Sequence, residues 1–305
     1  MNAVRMLPSL AQADLSTFSG LEEQIVEHAA WIGALYAGIV LFGLGVLGWF
    51  ILRLRRQSLP WATFLSRLYW RPWSLSDCQP ILWVLVGSFL LSFAVQAAWV
   101  ALAADSASAR TAHLVVVQSI LFHWTGLLAV AWFLRRRRLP WRSAFGLEPA
   151  TVGRDLGRGL LMLAGTMPVL VGSAVIYNLF LQMFGFQPSL QEVAFIISGE
   201  TSPWLRAYFI FLAVVLAPVV EEILFRGMLL PALAKRFGAT AAVLVIALVF
   251  AAIHAHVPSL VPLFILSTSL SLAYIGTGSL AASIIMHAVF NSITVSLLFA
   301  VQGSS

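Results

Sequence analysis

The chain has 305 residues, of which 60% are hydrophobic and only 10% carry charge, where soluble domains carry about 25%. That balance excludes a water-soluble fold, and the single cysteine, Cys78, excludes an internal disulfide framework or a cysteine-rich metal site. The formal net charge of +6 is not the footprint of a nucleic-acid partner, because the arginines gather beside apolar segments, the pattern of cytoplasmic loops in membrane proteins.

Residues 1–30 read as a polar N-terminal leader. A first apolar segment runs from Trp31 to Leu52 and stops at Arg53, Arg55 and Arg56. In the loop that follows, Trp61, Trp70 and Trp73 alternate with Arg67 and Arg71, which suits a segment lying in the membrane interface. A second segment spans Ile81 to Ala104, and a third spans Ala112 to Leu134, where four successive arginines, Arg135 to Arg138, end it. A basic amphipathic stretch leads into a fourth, Gly159 to Gln182, and a polar loop with Pro188, Glu192 and Glu200 separates it from a fifth that begins near Ala207 and ends at Lys235 and Arg236. Three segments fill the remainder, 239–257, 260–276 and 280–301, the middle one short, rich in Ser and Thr, and open to a re-entrant path.

Apolar runs of about 20 residues cross a hydrocarbon core roughly 30 Å thick. The pattern therefore predicts an all-α, polytopic transmembrane bundle of about eight spans. Placing the loops 53–80, 135–158 and 235–238 on one side gathers 14 of the 18 basic residues there. That side is expected to be cytoplasmic, with both termini opposite. Residues 31–158 are expected to form peripheral transmembrane helices and basic loops, and residues 159–305 the core.

The apolar spans contain residues that lipid does not tolerate without a reason. An ionisable group at the centre of a span costs about 2.5–3.5 kcal/mol on insertion scales, and such groups face the protein interior. Beyond Arg236 the chain has no Asp, Glu, Lys or Arg, yet it contains His254, His256, His287 and Asn291, and Glu221, Glu222 and Arg226 interrupt the fifth span. Positions four apart share one helix face. Glu222 therefore sits over Arg226 and takes a structural, orienting role. Glu221 has no local counter-charge and keeps its lone pairs available to accept a proton, as a general base must. His287 and Asn291 share a face and can both donate hydrogen bonds into one cavity, the arrangement an oxyanion requires. Phe250 and His254 are paired in the same way. At 1.5 Å per residue, Glu221 lies about 21 Å from Lys235 and His254 about 22 Å from Ala239, with His287 somewhat nearer the basic end. His256 points elsewhere, and His28, His113 and His123 have no ionisable partner at helical spacing, so structural or surface roles are favoured for them.

At these residues the chain resembles the CPBP family, which includes the type 2 CAAX prenyl proteases and bacteriocin-processing enzymes and is also called the abortive-infection family. The resemblance rests on Glu221-Glu222-Ile-Leu-Phe-Arg226-Gly227, Phe250-Ala-Ala-Ile-His254 and His287-Ala-Val-Phe-Asn291, and covers about residues 205–295. It implies an eight-helix intramembrane endopeptidase in which Glu221 activates water with help from His254. His287 and Asn291 would stabilise the oxyanion, and Glu222 and Arg226 would hold the site together.

No cofactor is favoured. Zinc is possible, held by Glu221, His254 and His287, but the chain has no His-Glu-x-x-His on one helix, and an Asn stands where a third strong ligand is expected. The expected partners are the lipid bilayer and a membrane-embedded or lipid-anchored peptide substrate. Two other classes use the same buried residues: a transporter with a Glu/His proton relay, against which the absence of inverted repeats counts, and a catalytically silent immunity or scaffold protein, against which the intact motifs count.

Overall fold

The structure, a computed structural model, describes residues 15–56, 61–102, 107–186 and 191–302. Residues 1–14 of the expected leader, and Pro188, lie outside the described residues. The order is α1 (Leu15–Arg56), α2 (Trp61–Tyr69), α3 (Leu75–Leu102), then α4 (Ala107–Ser119) and α5 (Thr125–Arg136) joined by a π turn, Ile120–Trp124. The short α6 (Trp141–Phe145) precedes α7 (Pro149–Met183), and α8 (Glu192–Gly199) stands in the polar loop after it. The fifth span is built from α9 (Pro203–Phe211), a π turn (Leu212–Leu216), α10 (Ala217–Glu222), a second π turn (Ile223–Leu229) and α11 (Leu230–Phe237). α12 (Ala239–Ile253), a short 3-10 turn (Val257–Ser259), α13 (Leu260–Thr277) and α14 (Leu280–Gln302) complete the chain.

Among the described residues, seven helices are long and apolar enough to cross a membrane, and the shorter apolar helix Ala239–Ile253 is an eighth element. The short element is therefore the sixth, not the seventh as the Ser/Thr-rich stretch 260–276 suggests. Pro258 explains the change: it has no N–H to donate and its ring collides with the carbonyl four residues back, so a helix cannot continue past His254. The chain turns there through Ala255, whose φ of 48° is a left-handed conformation that residues with a Cβ seldom adopt. The seventh helix gains what the sixth loses and runs over Val257–Thr277.

The basic residues meet at one end of the bundle. Arg67 donates to the Thr277 carbonyl at 3.3 Å. Arg71 donates to the carbonyls of Ser143, at 2.9 Å, and Gly278, and Lys235 to those of Trp73, at 2.9 Å, and Arg71. Gly278 ends α13 with a φ of 69°, and a Cβ there would come within 3.0 Å of the Arg67 side chain. The turn between α13 and α14 thus lies at the same end as Lys235, which requires both α12 and α13 to run the depth of the core. Trp73 differs from its expected interfacial place: it is fully buried and stacks on Phe133 and Phe145, with ring centroids 5.3 and 5.6 Å away. Trp70, by contrast, is exposed.

Burial concentrates in the middle of the molecule. Half of the most apolar window of Pro203–Phe237 is buried, against 6% for Gly33–Arg53. α2, α3, α12, α13 and α14 pack against the broken fifth span, and its π turn Ile223–Leu229 is seated by Phe145: a Cβ on Gly227 would stand 2.7 Å from that ring.

Candidate active site

The buried acid and base of the fifth span pair as their spacing predicts. Arg226 Nη1 donates to Glu222 Oε1 at 2.8 Å, and both side chains are fully buried. Two buried charges remain inside an apolar bundle only if their other valences are met. Arg226 Nη2 donates to the Ser267 carbonyl at 3.0 Å and to Ser267 Oγ at 2.6 Å, on α13. The guanidinium also lies over the Phe250 ring, 4.8 Å from its centroid, a cation–π contact in a desolvated setting.

The same carboxylate oxygen has a second donor. His287 Nδ1, on α14, stands 3.0 Å from Glu222 Oε1, so Nδ1 carries the hydrogen and Nε2 points onward. Nε2 is 3.8 Å from Glu221 Oε2. His287 therefore bridges the two glutamates: neutral, it serves Glu222 alone, and protonated, it can donate toward both. Glu221 keeps 19% of its side chain exposed, while its Oε2 atom is shielded and has no hydrogen-bond partner. His287 thus reaches the level of the carboxylates instead of lying nearer the basic end. Its helix distance from Leu280 is shorter than that of Glu221 from Lys235, and the π turn and Pro231 between Glu222 and Lys235 break the straight helix on which that estimate was based.

Asn291 is placed by a defect in the backbone. In the π turn before α10 the N–H of Ala217 bonds to the Leu212 carbonyl, five residues back. The next residue in that register, Pro218, has no N–H, so the Ala213 carbonyl has no donor within its own helix. Asn291 Nδ2 supplies it at 2.8 Å. One amide hydrogen of Asn291 is thereby committed, and the second remains for a ligand.

His254 caps α12 with its Nδ1 2.7 Å from the Phe250 carbonyl, which leaves Nε2 as an acceptor. Its ring packs on Phe250 at 4.7 Å between centroids, and the His287 ring meets Phe250 edge-on at 5.7 Å. Phe250, completely buried, is the spacer that sets the two histidines and Arg226 around one aromatic ring. His256 is turned to Ser259, with Nδ1 2.8 Å from its hydroxyl. Among the described residues no group of three or more His, Cys, Asp or Glu side chains could hold a metal ion. Glu221, His254 and His287 therefore do not form a zinc set in this geometry.

Ser267 is the residue of this network that helical spacing did not single out. Its signal was the Ser/Thr content of the seventh segment, since hydroxyls inside apolar helices are commonly interhelical donors and acceptors.

Residues 203–293 match the family model of the Rce1-like type II CAAX prenyl endopeptidases. Over these residues the chain is similar to that family. Its matched span takes in Glu221, Glu222, Arg226, Phe250, His254, His287 and Asn291, the residues that the fold gathers around Phe250 and α10. Neither the curated proteins nor the solved structures give a match to the chain. The likeness is to a family of peptidases, and the seven long apolar helices among the described residues, three of them in or overlapping the matched segment, are those of an integral, multi-pass membrane protein.

Proposed function

We propose that the chain is an intramembrane endopeptidase in which Glu221 is the general base for hydrolysis of a peptide bond in a membrane-attached protein or peptide. The observation that carries this reading is the difference between adjacent carboxylates: Glu222 is held through Oε1 by both Arg226 and His287, whereas the shielded Oε2 of Glu221 has no hydrogen-bond partner and stands 3.8 Å from His287 Nε2.

A water at Glu221 gives up a proton to the carboxylate as its oxygen attacks the scissile carbonyl. Charge then develops on the carbonyl oxygen, where the free amide hydrogen of Asn291 and a protonated His287 are the available donors, and such donors act most strongly where water is excluded. Glu222 accepts from Nδ1 and orients the ring, and Arg226 holds Glu222 in place. His254 Nε2 is free to orient the water or to exchange its proton. Glu221 finally returns the proton to the departing amine, so that it ends the cycle as it began. The basic end of the bundle, with Arg67, Arg71 and Lys235, faces the cytoplasm in this reading, and residues 159–305 form the protease core with the first three spans around it.

The test is cleavage of a membrane-embedded peptide by purified protein in detergent or lipid. Glu221→Gln is expected to lose about 10²–10⁴-fold in rate, the usual worth of a positioned base, with an unchanged melting temperature. Cleavage retained by Glu221→Gln would exclude Glu221 as the base.

A further inference from the structure

His123 lies outside the segment matched by the family, and nothing at helical spacing in the sequence gives it a partner. It stands in the π turn Ile120–Trp124 between α4 and α5. Its Nδ1 is 3.1 Å from the Ser119 carbonyl, so Nδ1 carries the hydrogen and Nε2 keeps its lone pair. The ring is steadied by Phe122, edge-on at 5.3 Å.

The residues on either side of His123 fix where this part of the helix points. Ser119 shares a hydrogen bond between its hydroxyl and that of Tyr208, on α9. Gly126 is buried, and a Cβ added there would lie 3.8 Å from Val220 Cγ1, on α10. Ser119 thus meets α9, and Gly126 faces Leu85 of α3 and Val220 of α10, the residue before Glu221, so this stretch of helix lies along the fifth span.

Two general arguments bear on such a residue. A histidine in an apolar span is kept for use or for pairing, and among the described residues its Nε2 has no protein partner. π turns are rare and frequently lie at functional sites. The three described here all border the same place: one holds His123, one contains Ala213, to which Asn291 is bound, and one carries Arg226.

We propose that His123 is a substrate-binding residue of the Glu221 site, whose Nε2 accepts a hydrogen bond from a backbone N–H of the peptide to be cut. A peptide opened for attack inside the bilayer loses its helical hydrogen bonds, and each N–H left bare in apolar surroundings costs several kcal/mol. The protein must therefore supply acceptors. His287, on α14, has both nitrogens facing carboxylates and acts as a donor; His123 stands on the separate wall formed by α4 and α5, with an acceptor in reserve. The inference rests on the peptidase reading above.

The test exploits the two ring nitrogens. Asn places its amide where Nδ1 sits, and Gln places its amide where Nε2 sits. His123→Ala is expected to lower kcat/KM by about five- to tenfold, the worth of one hydrogen bond, carried by KM. His123→Gln is expected to recover most of that loss and His123→Asn none. Binding of the same peptide to the non-cleaving Glu221→Gln form should weaken by the same factor when His123→Ala is added. Recovery by Asn and not by Gln would show that only the bond to Ser119 matters, and unchanged KM and peptide binding in His123→Ala would equally overturn the proposal. Either result leaves the role of Glu221 intact, since that role stands or falls with cleavage by Glu221→Gln alone.

Discussion

The first and fifth spans are built from similarly apolar sequence and do opposite things. α1 is a single unbroken helix of 42 residues whose Trp31, Leu35, Leu41, Phe42 and Trp49 are exposed on its outer face. Where it meets α7, the contact is apolar and close: a Cβ on Gly43 would collide with the Ala164 carbonyl and the Pro168 ring. The fifth span is cut into α9, α10 and α11 by two π turns, contains Pro218 and Pro231, and carries a buried ion pair. A regular helix satisfies its own backbone and has nothing left to offer a ligand. An irregular one frees backbone groups and redirects side chains, and these need partners from other helices. In this molecule the partners are Ser267 of α13 and His287 and Asn291 of α14, so the irregularity of one span and the polarity of two others are one feature.

The comparison can be broken most severely at the ion pair. Arg226→Met leaves Glu222 buried without its counter-charge, and a loss of about 3–5 kcal/mol is expected, read as a lower melting temperature and as lost cleavage because His287 loses its anchor. Replacing both members, Glu222→Met with Arg226→Met, is expected to regain most of the stability and none of the activity. Were the single substitution as stable as the wild type, the pair would not be the element that holds the broken span.

A smaller effect sharpens the role of the backbone defect. Asn291→Ala exposes the Ala213 carbonyl and should cost about 1–3 kcal/mol. Adding Pro218→Ala returns an N–H to the helix register opposite that carbonyl, so part of the stability is expected to come back while cleavage does not. The smallest effect on cleavage belongs to α1. Gly43→Leu forces a side chain against α7 and should lower stability by about 1–3 kcal/mol, with the rate per folded molecule unchanged. A loss of rate comparable to that of Glu221→Gln would mean that α1 helps to shape the site.

Much of this was legible in the sequence, for identifiable reasons. The membrane class followed from composition, and the Glu222–Arg226 pair followed from an interval of four, which a π turn starting at Ile223 hardly disturbs. The bond from His287 to Glu222 was not legible, because it joins residues 65 apart on different helices, and spacing within one helix says nothing about which of two neighbouring carboxylates a distant side chain will meet. The short sixth helix was hidden for a different reason. Residues 239–257 form one apolar run, and only the effect of Pro258 on His254, four positions earlier, marks the end. Trp73 read as interfacial by composition, but its neighbours Phe133 and Phe145 come from later parts of the chain. Ser267 and His123 were visible as polar residues in apolar spans, and what they touch depends on packing that no local pattern encodes.

The donor for the Ala213 carbonyl and the imidazole for Glu222 both come from α14, the last helix of the described chain. During synthesis the earlier spans emerge first, so the carboxylates and their arginine are in place while these two partners have yet to be made. A ribosome product that stops before residue 287 has the acidic half of the centre and lacks its nitrogen half. Hydrolytic competence, on the reading proposed above, is therefore gained only once residue 291 has been made, and copies terminated before it are inert in the bilayer.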